Sequence, residues 1–110
     1  MPILDDGMAV SVKIAYINVN SIDTHELIPA VEGKKLHICG MTIICGQNQS
    51  ITFKSGSTAL GGPMLFNGGG IFDVFRIPPF SFCGTAAGEA LNMTVTTAAQ
   101  VSGSINYVEV

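Results

Sequence analysis

Over much of its length the chain alternates apolar and polar residues one for one. Leu91, Met93 and Val95 are interleaved with Asn92, Thr94 and Thr96; Val101, Gly103, Ile105 and Tyr107 are interleaved with Ser102, Ser104 and Asn106. A period of two is the mark of a strand with one buried face, because successive side chains point to opposite sides of an extended backbone. The same pattern places Met8, Val10, Val12, Ile14 and Tyr16 on one face of an early strand, with Ser11 and Lys13 on the other. It also places Ile51 and Phe53 inward, and Thr52 and Lys54 outward. No long segment carries helical spacing. The nearest is "DTHELI", which follows the turn or cap residues Asn20 and Ser21 and is stopped by Pro29, and which predicts a single helical turn.

Between these runs the chain is punctuated by glycine and proline. "KLHICGMTIICG" is apolar on both parities, which predicts a strand covered on both faces or one bulged at Gly40. "GQNQ", Gly46 to Gln49, reads as a hairpin turn, and "AAQ", Ala98 to Gln100, as the turn of a final hairpin. From Gly56 to Gly70 the glycines free the backbone around a hydrophobic island, Met64, Leu65 and Phe66. "IFDVFRI" is a further strand ended by Pro78 and Pro79, "FSFC" a short one, and "GTAAGEA" a loop or single turn. The expected architecture is all-β with little or no helix. It is an antiparallel β-sandwich or jelly roll of about seven or eight strands. Residues 1–110 form a single domain with an extended arm at 1–7, and the last strand is expected to be paired within a sheet.

Charged residues make up only 12% of the chain, and hydrophobic ones 47%. The usual charged share is about 25%. A domain this small has much surface to cover and few charges to cover it with, so part of that surface is expected to be buried against a neighbour. The formal net charge is −3, and no basic cluster exceeds Lys34 and Lys35, which argues against nucleic acid as a partner. The apolar runs are too short for a membrane span. "MPILDDGMAV" carries acids where a secretory signal needs a basic start. Cys39, Cys45 and Cys83 make no CxxC pair and read as small buried hydrophobes in a reducing compartment.

No catalytic set is legible. A nucleophile needs a base beside it, and His25 and His37 sit in no recognisable motif. HExxH, GxSxG and the P-loop are absent, and "NGGG" lacks the lysine that phosphate binding needs. Asp5, Asp6, Asp23 and Glu26 match no calcium loop and read as solvated turn acids. The thiols lack the paired spacing of a zinc site, and only His25 and His37, in no motif, are available to complete one. The expectation is a protein that is not an enzyme and that uses no cofactor and no metal.

The segment "TAAGEALNMTVTTAAQVSGSINYVEV", preceded by "ITFKSGSTALGGPM" and "GGGIF", resembles small bacteriophage virion proteins of the head decoration, or cement, type. The likeness covers about Ile51 to Val110; Cys83 departs from it, and no role is carried over for that thiol. The resemblance implies a compact β-sandwich, made in the host cytoplasm, that sits on the capsid surface of the virion. It implies binding to the major capsid protein, often as a homotrimer, and it supplies no catalytic residues. The candidate contact elements are Met1, Ile3 and Leu4 of the arm, and the island of Met64, Leu65 and Phe66. The island could equally fold back to cap its own core. The rival readings are a tail or fibre-associated phage component, or a carbohydrate- or surface-binding β-sandwich. Against sugar binding, the chain has no Trp, and its two tyrosines, Tyr16 and Tyr107, are both expected to face inward.

Overall fold

The structure is a computed structural model and describes residues 11–76 and 81–110. Among these residues there are ten strands and no helix: β1 (Lys13–Val19), β2 (Asp23–Ile28), β3 (Leu36–Cys45), β4 (Gln49–Ser55), β5 (Thr58–Ala59), β6 (Met64–Phe66), β7 (Gly70–Phe75), β8 (Cys83–Gly84), β9 (Leu91–Val95) and β10 (Val101–Glu109). They form two antiparallel sheets. The first has the order β1-β10-β3-β7, with β8 also paired to β3. The second has the order β2-β9-β4-β5, with β6 also paired to β4. Taken in chain order, this is the arrangement of a jelly roll. The count exceeds the expected seven or eight because β5, β6 and β8 are pieces of two or three residues.

The chain changes sheets at most of its connections, and this overturns both expected hairpins. β3 lies in the first sheet and β4 in the second, so the "GQN" segment is a corner between layers. Likewise β9 pairs with β2 and β4, whereas β10 pairs with β1 and β3, so residues 96–100 cross between sheets. Gln49 holds this second corner. Its Oε1 accepts from the backbone N–H of Thr96 (3.0 Å) and Thr97 (2.8 Å), and its Nε2 donates to the Thr97 carbonyl (2.8 Å). The side chain is buried, so these bonds satisfy groups that would otherwise be costly. At the far end, Thr85 Oγ1 accepts from Leu36 N while Thr85 N donates to Leu36 O, which fixes the segment after β8 to the start of β3.

The expected helical turn at "DTHELI" is strand β2. All six residues extend against β9, with a bulge between Glu26 and Ile28, and tertiary pairing overrides the local cap signals. In β3 the second of the two expected readings holds, with the bulge one residue before Gly40. Asn106 of β10 faces Gly40 while Tyr107 faces Ile38, so Cys39 is the extra residue. The bulge resets parity. Leu36 and Ile38 enter the core before it, and Met41, Ile43 and Cys45 enter after it, which is why the sequence looked apolar on both faces.

Between the sheets lies one core. Ile17, Ile43, Val101 and Ile105 from the first sheet meet Ile28, Ile51, Leu91, Met93 and Val95 from the second. The inward positions expected of β4, β9 and β10 are as the alternation gives them. Val101–Tyr107 is paired on both sides, Val108 and Glu109 pair with β3, and Val110 continues the pairing with Lys35 through reciprocal backbone bonds of 2.8 and 3.0 Å. Gly103 sits in mid-β10, where a Cβ would stand 1.8 Å from the Thr42 carbonyl oxygen. Only glycine lets β3 and β10 approach at that point.

Candidate interaction surface

The early strand is reversed relative to expectation. In β1 it is Ile17 and Val19 that are buried, while Ile14 is 56% and Tyr16 is 76% exposed. Both parities of this strand carry apolar residues, and the register decides between them. Ile17 and Val19 lie opposite Gly103 and Val101 on the inner face, whereas Ile14 and Tyr16 lie opposite Asn106 and Ser104 on the outer one.

Three rows of side chains therefore cross the outer face of the first sheet. Asn18, Ser102, Ile44 and Ile71 form one; Tyr16, Ser104, Thr42 and Asp73 the next; Ile14, Asn106, Gly40 and Phe75 the third. The centre is hydroxyl and amide, as the alternation in β10 implied. Both flanks carry exposed apolar groups, Ile14 and Tyr16 on one side and Ile71 (71% exposed) and Phe75 (60%) on the other. The Phe75 ring lies over Gly40, where a Cβ would meet Phe75 Cδ1 at 3.1 Å. Asp73 is the sole charged side chain in these rows, and it accepts a hydrogen bond from Thr42 Oγ1 at 2.9 Å. The central amides and hydroxyls are ordered among themselves: Gln100 Nε2 donates to Asn18 Oδ1 (2.8 Å) and to Ser102 Oγ (3.0 Å). Exposed Ile, Tyr and Phe side chains around an uncharged polar centre make a face that loses little when water is removed from it.

The hydrophobic island of the glycine-rich stretch resolves into strand β6. Phe66 is buried in the core and Met64 is half-buried against it, so these two cap the chain's own interior and do not form a free contact surface. Leu65 alone points outward, 70% exposed. Met1, Ile3 and Leu4 lie outside the described residues. Near β6, an apolar cleft of about 260 Å³ is lined by Phe53, Leu60, Met64, Phe72, Phe82 and Cys83. Burial pushes the Cys83 thiol up to about 11, and it raises Cys39 and Cys45 as well. All three cysteines are free. At neutral pH each is a protonated thiol and a poor nucleophile, which matches the reading of small hydrophobes.

The histidines stand apart from the thiols in role. His25, on the edge strand β2, has its Nε2 2.8 Å from the Ser21 carbonyl, and His37 lies on β3 beside β8. Asp23 Oδ1 accepts from Thr24 N, a local turn contact. Among the described residues, no three His, Cys, Asp or Glu side chains come together in a group that could hold a metal ion. Sequence reasoning missed Tyr16, Ile44, Ile71 and Phe75 as surface groups. A signal for Ile44 and Ile71 was present: both parities of their strands are apolar, so one set had to face out.

No protein-family model matches the chain, and no curated protein matches it. The fold and the face together define a charge-poor jelly-roll sandwich with one outer wall suited to contact.

Proposed function

We propose that the chain is a structural virion protein that binds the outside of a phage capsid and stabilises it, as a decoration or cement protein. The observation that carries this is the outer face of the first sheet, where Ile14, Tyr16, Ile44, Ile71 and Phe75 lie around a patch of hydroxyls and amides, with Asp73 on the β7 flank the single carboxylate. The sequence resemblance over Ile51 to Val110 supplies the setting. A cement protein works by binding free energy alone, and many modest contacts from linked copies add, since a bound assembly must release all of them to leave. The partner is the major capsid protein, together with further copies of this chain. Neither a catalytic set nor a cofactor is needed.

The test is cryo-electron microscopy of particles carrying the protein, with a deletion strain beside them. A decoration protein appears in many regular copies on the head, and its loss lowers the temperature at which heads break. A few copies at the tail or on a fibre would replace this reading with a tail component.

A second reading gains from one observation. Tyr16, expected inward, is exposed, as is Phe75, and exposed aromatics are what a carbohydrate-binding sandwich uses to stack on sugar rings. The two stand on opposite flanks of the sheet, three strand spacings or about 14 Å apart, which is too far to clamp one sugar ring. A glycan array with signal lost in Tyr16→Ala would favour this reading.

A further inference from the structure

Two sheets leave four edges, and three of them are blunted. On β2 the edge carries Asp23 and Glu26, is bulged before Ile28, and starts at a residue with φ of 119°. The β5 and β6 edge is two short pieces separated by Gly61 and Gly62. On β7 the edge carries Asp73 in mid-strand, and it resumes only as the separate strand β8. Such charges, bulges and interruptions keep edges from pairing with other chains. β1 has none of these features. Its seven residues run in unbroken register with β10, without proline or glycine, and its one charge, Lys13, is at the end of the strand and bound to Glu109 at 3.0 Å. Among the described residues β1 is paired on one side only.

We propose that this edge joins a second copy of the chain, β1 against β1, in an antiparallel two-fold contact that makes one continuous sheet from the two first sheets. Residues opposite each other in an antiparallel pair share a face, so the two must have the same parity. The register that pairs all seven residues places Tyr16 on the axis, facing Tyr16 of the second copy. Ile14 then faces Asn18, Ala15 faces Ile17, and Lys13 faces Val19. No like charges meet; of the inner-face pairs, Ala15 with Ile17 is apolar, and Lys13 lies opposite Val19 at the end of the strand while keeping its bond to Glu109. On the outer face, Ile14 and Tyr16 of both copies gather at the middle of a doubled charge-poor wall, where tyrosine pairs are favourable. The contact is isologous and closes at two copies. It does not rest on the virion reading, because it is a property of the isolated protein.

Sedimentation velocity tests it with Tyr16→Lys, Tyr16→Glu and an equimolar mixture. Tyr16 is 76% exposed, so neither change should unfold the subunit, which circular dichroism checks through an unchanged strand spectrum at room temperature; any fall in melting temperature should not exceed what the lost association accounts for. The parent sediments as a dimer. Each variant alone places like charges face to face and loses the aromatic pair, weakening the dimer by about 100-fold. The mixture restores the dimer because lysine then faces glutamate. A parent that is monomeric or a closed trimer overturns the proposal. So does association unchanged by either variant, and so does a mixture that stays monomeric.

Discussion

The two outer faces of the sandwich enclose the same kind of core and differ in what they offer to water. On the second sheet, Thr24, Thr94 and Thr52 form one row across three strands, with the Thr24 and Thr94 hydroxyls 2.7 Å apart, and Glu26, Asn92 and Lys54 form the next. Opposite charges flank an amide there, and the exposed apolar group is Leu65. On the first sheet the corresponding flanks are Ile14 and Tyr16 on one side and Ile71 and Phe75 on the other. A face with β-branched hydroxyls and both signs of charge is stable when wetted. A face with aromatic and aliphatic flanks and one carboxylate gains when covered. The scarcity of charge in the sequence is therefore concentrated on one wall.

Substitutions test how far the walls share a core and differ outside it. The largest effect is expected at Gly103→Ala, which drives a methyl into the Thr42 carbonyl and forces β3 and β10 apart. A loss of about 4 kcal/mol or more, read from urea unfolding, follows from a clash with backbone that has nowhere to move. A change under about 1 kcal/mol would mean that the first sheet is looser than described.

Next come two neighbours on β6. Phe66→Asp buries a carboxylate in the core and should cost about 4 kcal/mol, whereas Leu65→Asp one residue away should cost under about 0.5 kcal/mol. Equal costs would show that β6 is not seated as described. Ile71→Asp and Thr52→Asp then compare the walls directly. Both sites are on outer faces, so both proteins should fold, and only Ile71→Asp should lose particle occupancy in binding assays.

The smallest effect concerns pH. Burial raises the thiols of Cys83, Cys39 and Cys45, so the folded protein holds those protons after the unfolded chain has released them. The stability they contribute is complete below the unfolded thiol pKa and is lost as pH rises from about 9 toward about 11, the value for Cys83. Urea midpoints across that range should fall less steeply in Cys83→Ala than in the parent. Parallel slopes would mean that the thiol is not held in an apolar site.

Much of the architecture was legible in the residues, for reasons that are local. In β4, β9 and β10 as far as Tyr107 only one parity is apolar, so facing follows directly from a period of two. The bulge in β3 was legible because Leu36 and Ile38 and then Met41 and Ile43 break parity around Gly40. In β1 both parities are apolar, and the choice between Tyr16 and Ile17 is made by cross-strand partners about 90 residues away in sequence. The connections were hidden for a related reason. A short polar segment such as Gly46–Asn48 looks the same whether it reverses a hairpin or turns a corner between sheets. What makes residues 96–100 a corner is Gln49, whose hydrogen bonds to Thr96 and Thr97 join parts of the chain that no local rule connects. The island at Met64 to Phe66 read equally as a contact or as a cap on its own core, because its glycine setting gives no periodicity; pairing with Gln49 to Ile51 decides for the cap and puts two of its three side chains inside.

The most direct measurement is side-chain footprinting of the protein, free and on intact particles, by photochemical labelling read by mass spectrometry. Strong protection of Tyr16, Ile71 and Phe75 on the particle, with Leu65, Thr24 and Lys54 labelled as in the free protein, is the predicted result. Protection of the second sheet instead, or a chain missing from purified particles altogether, contradicts it.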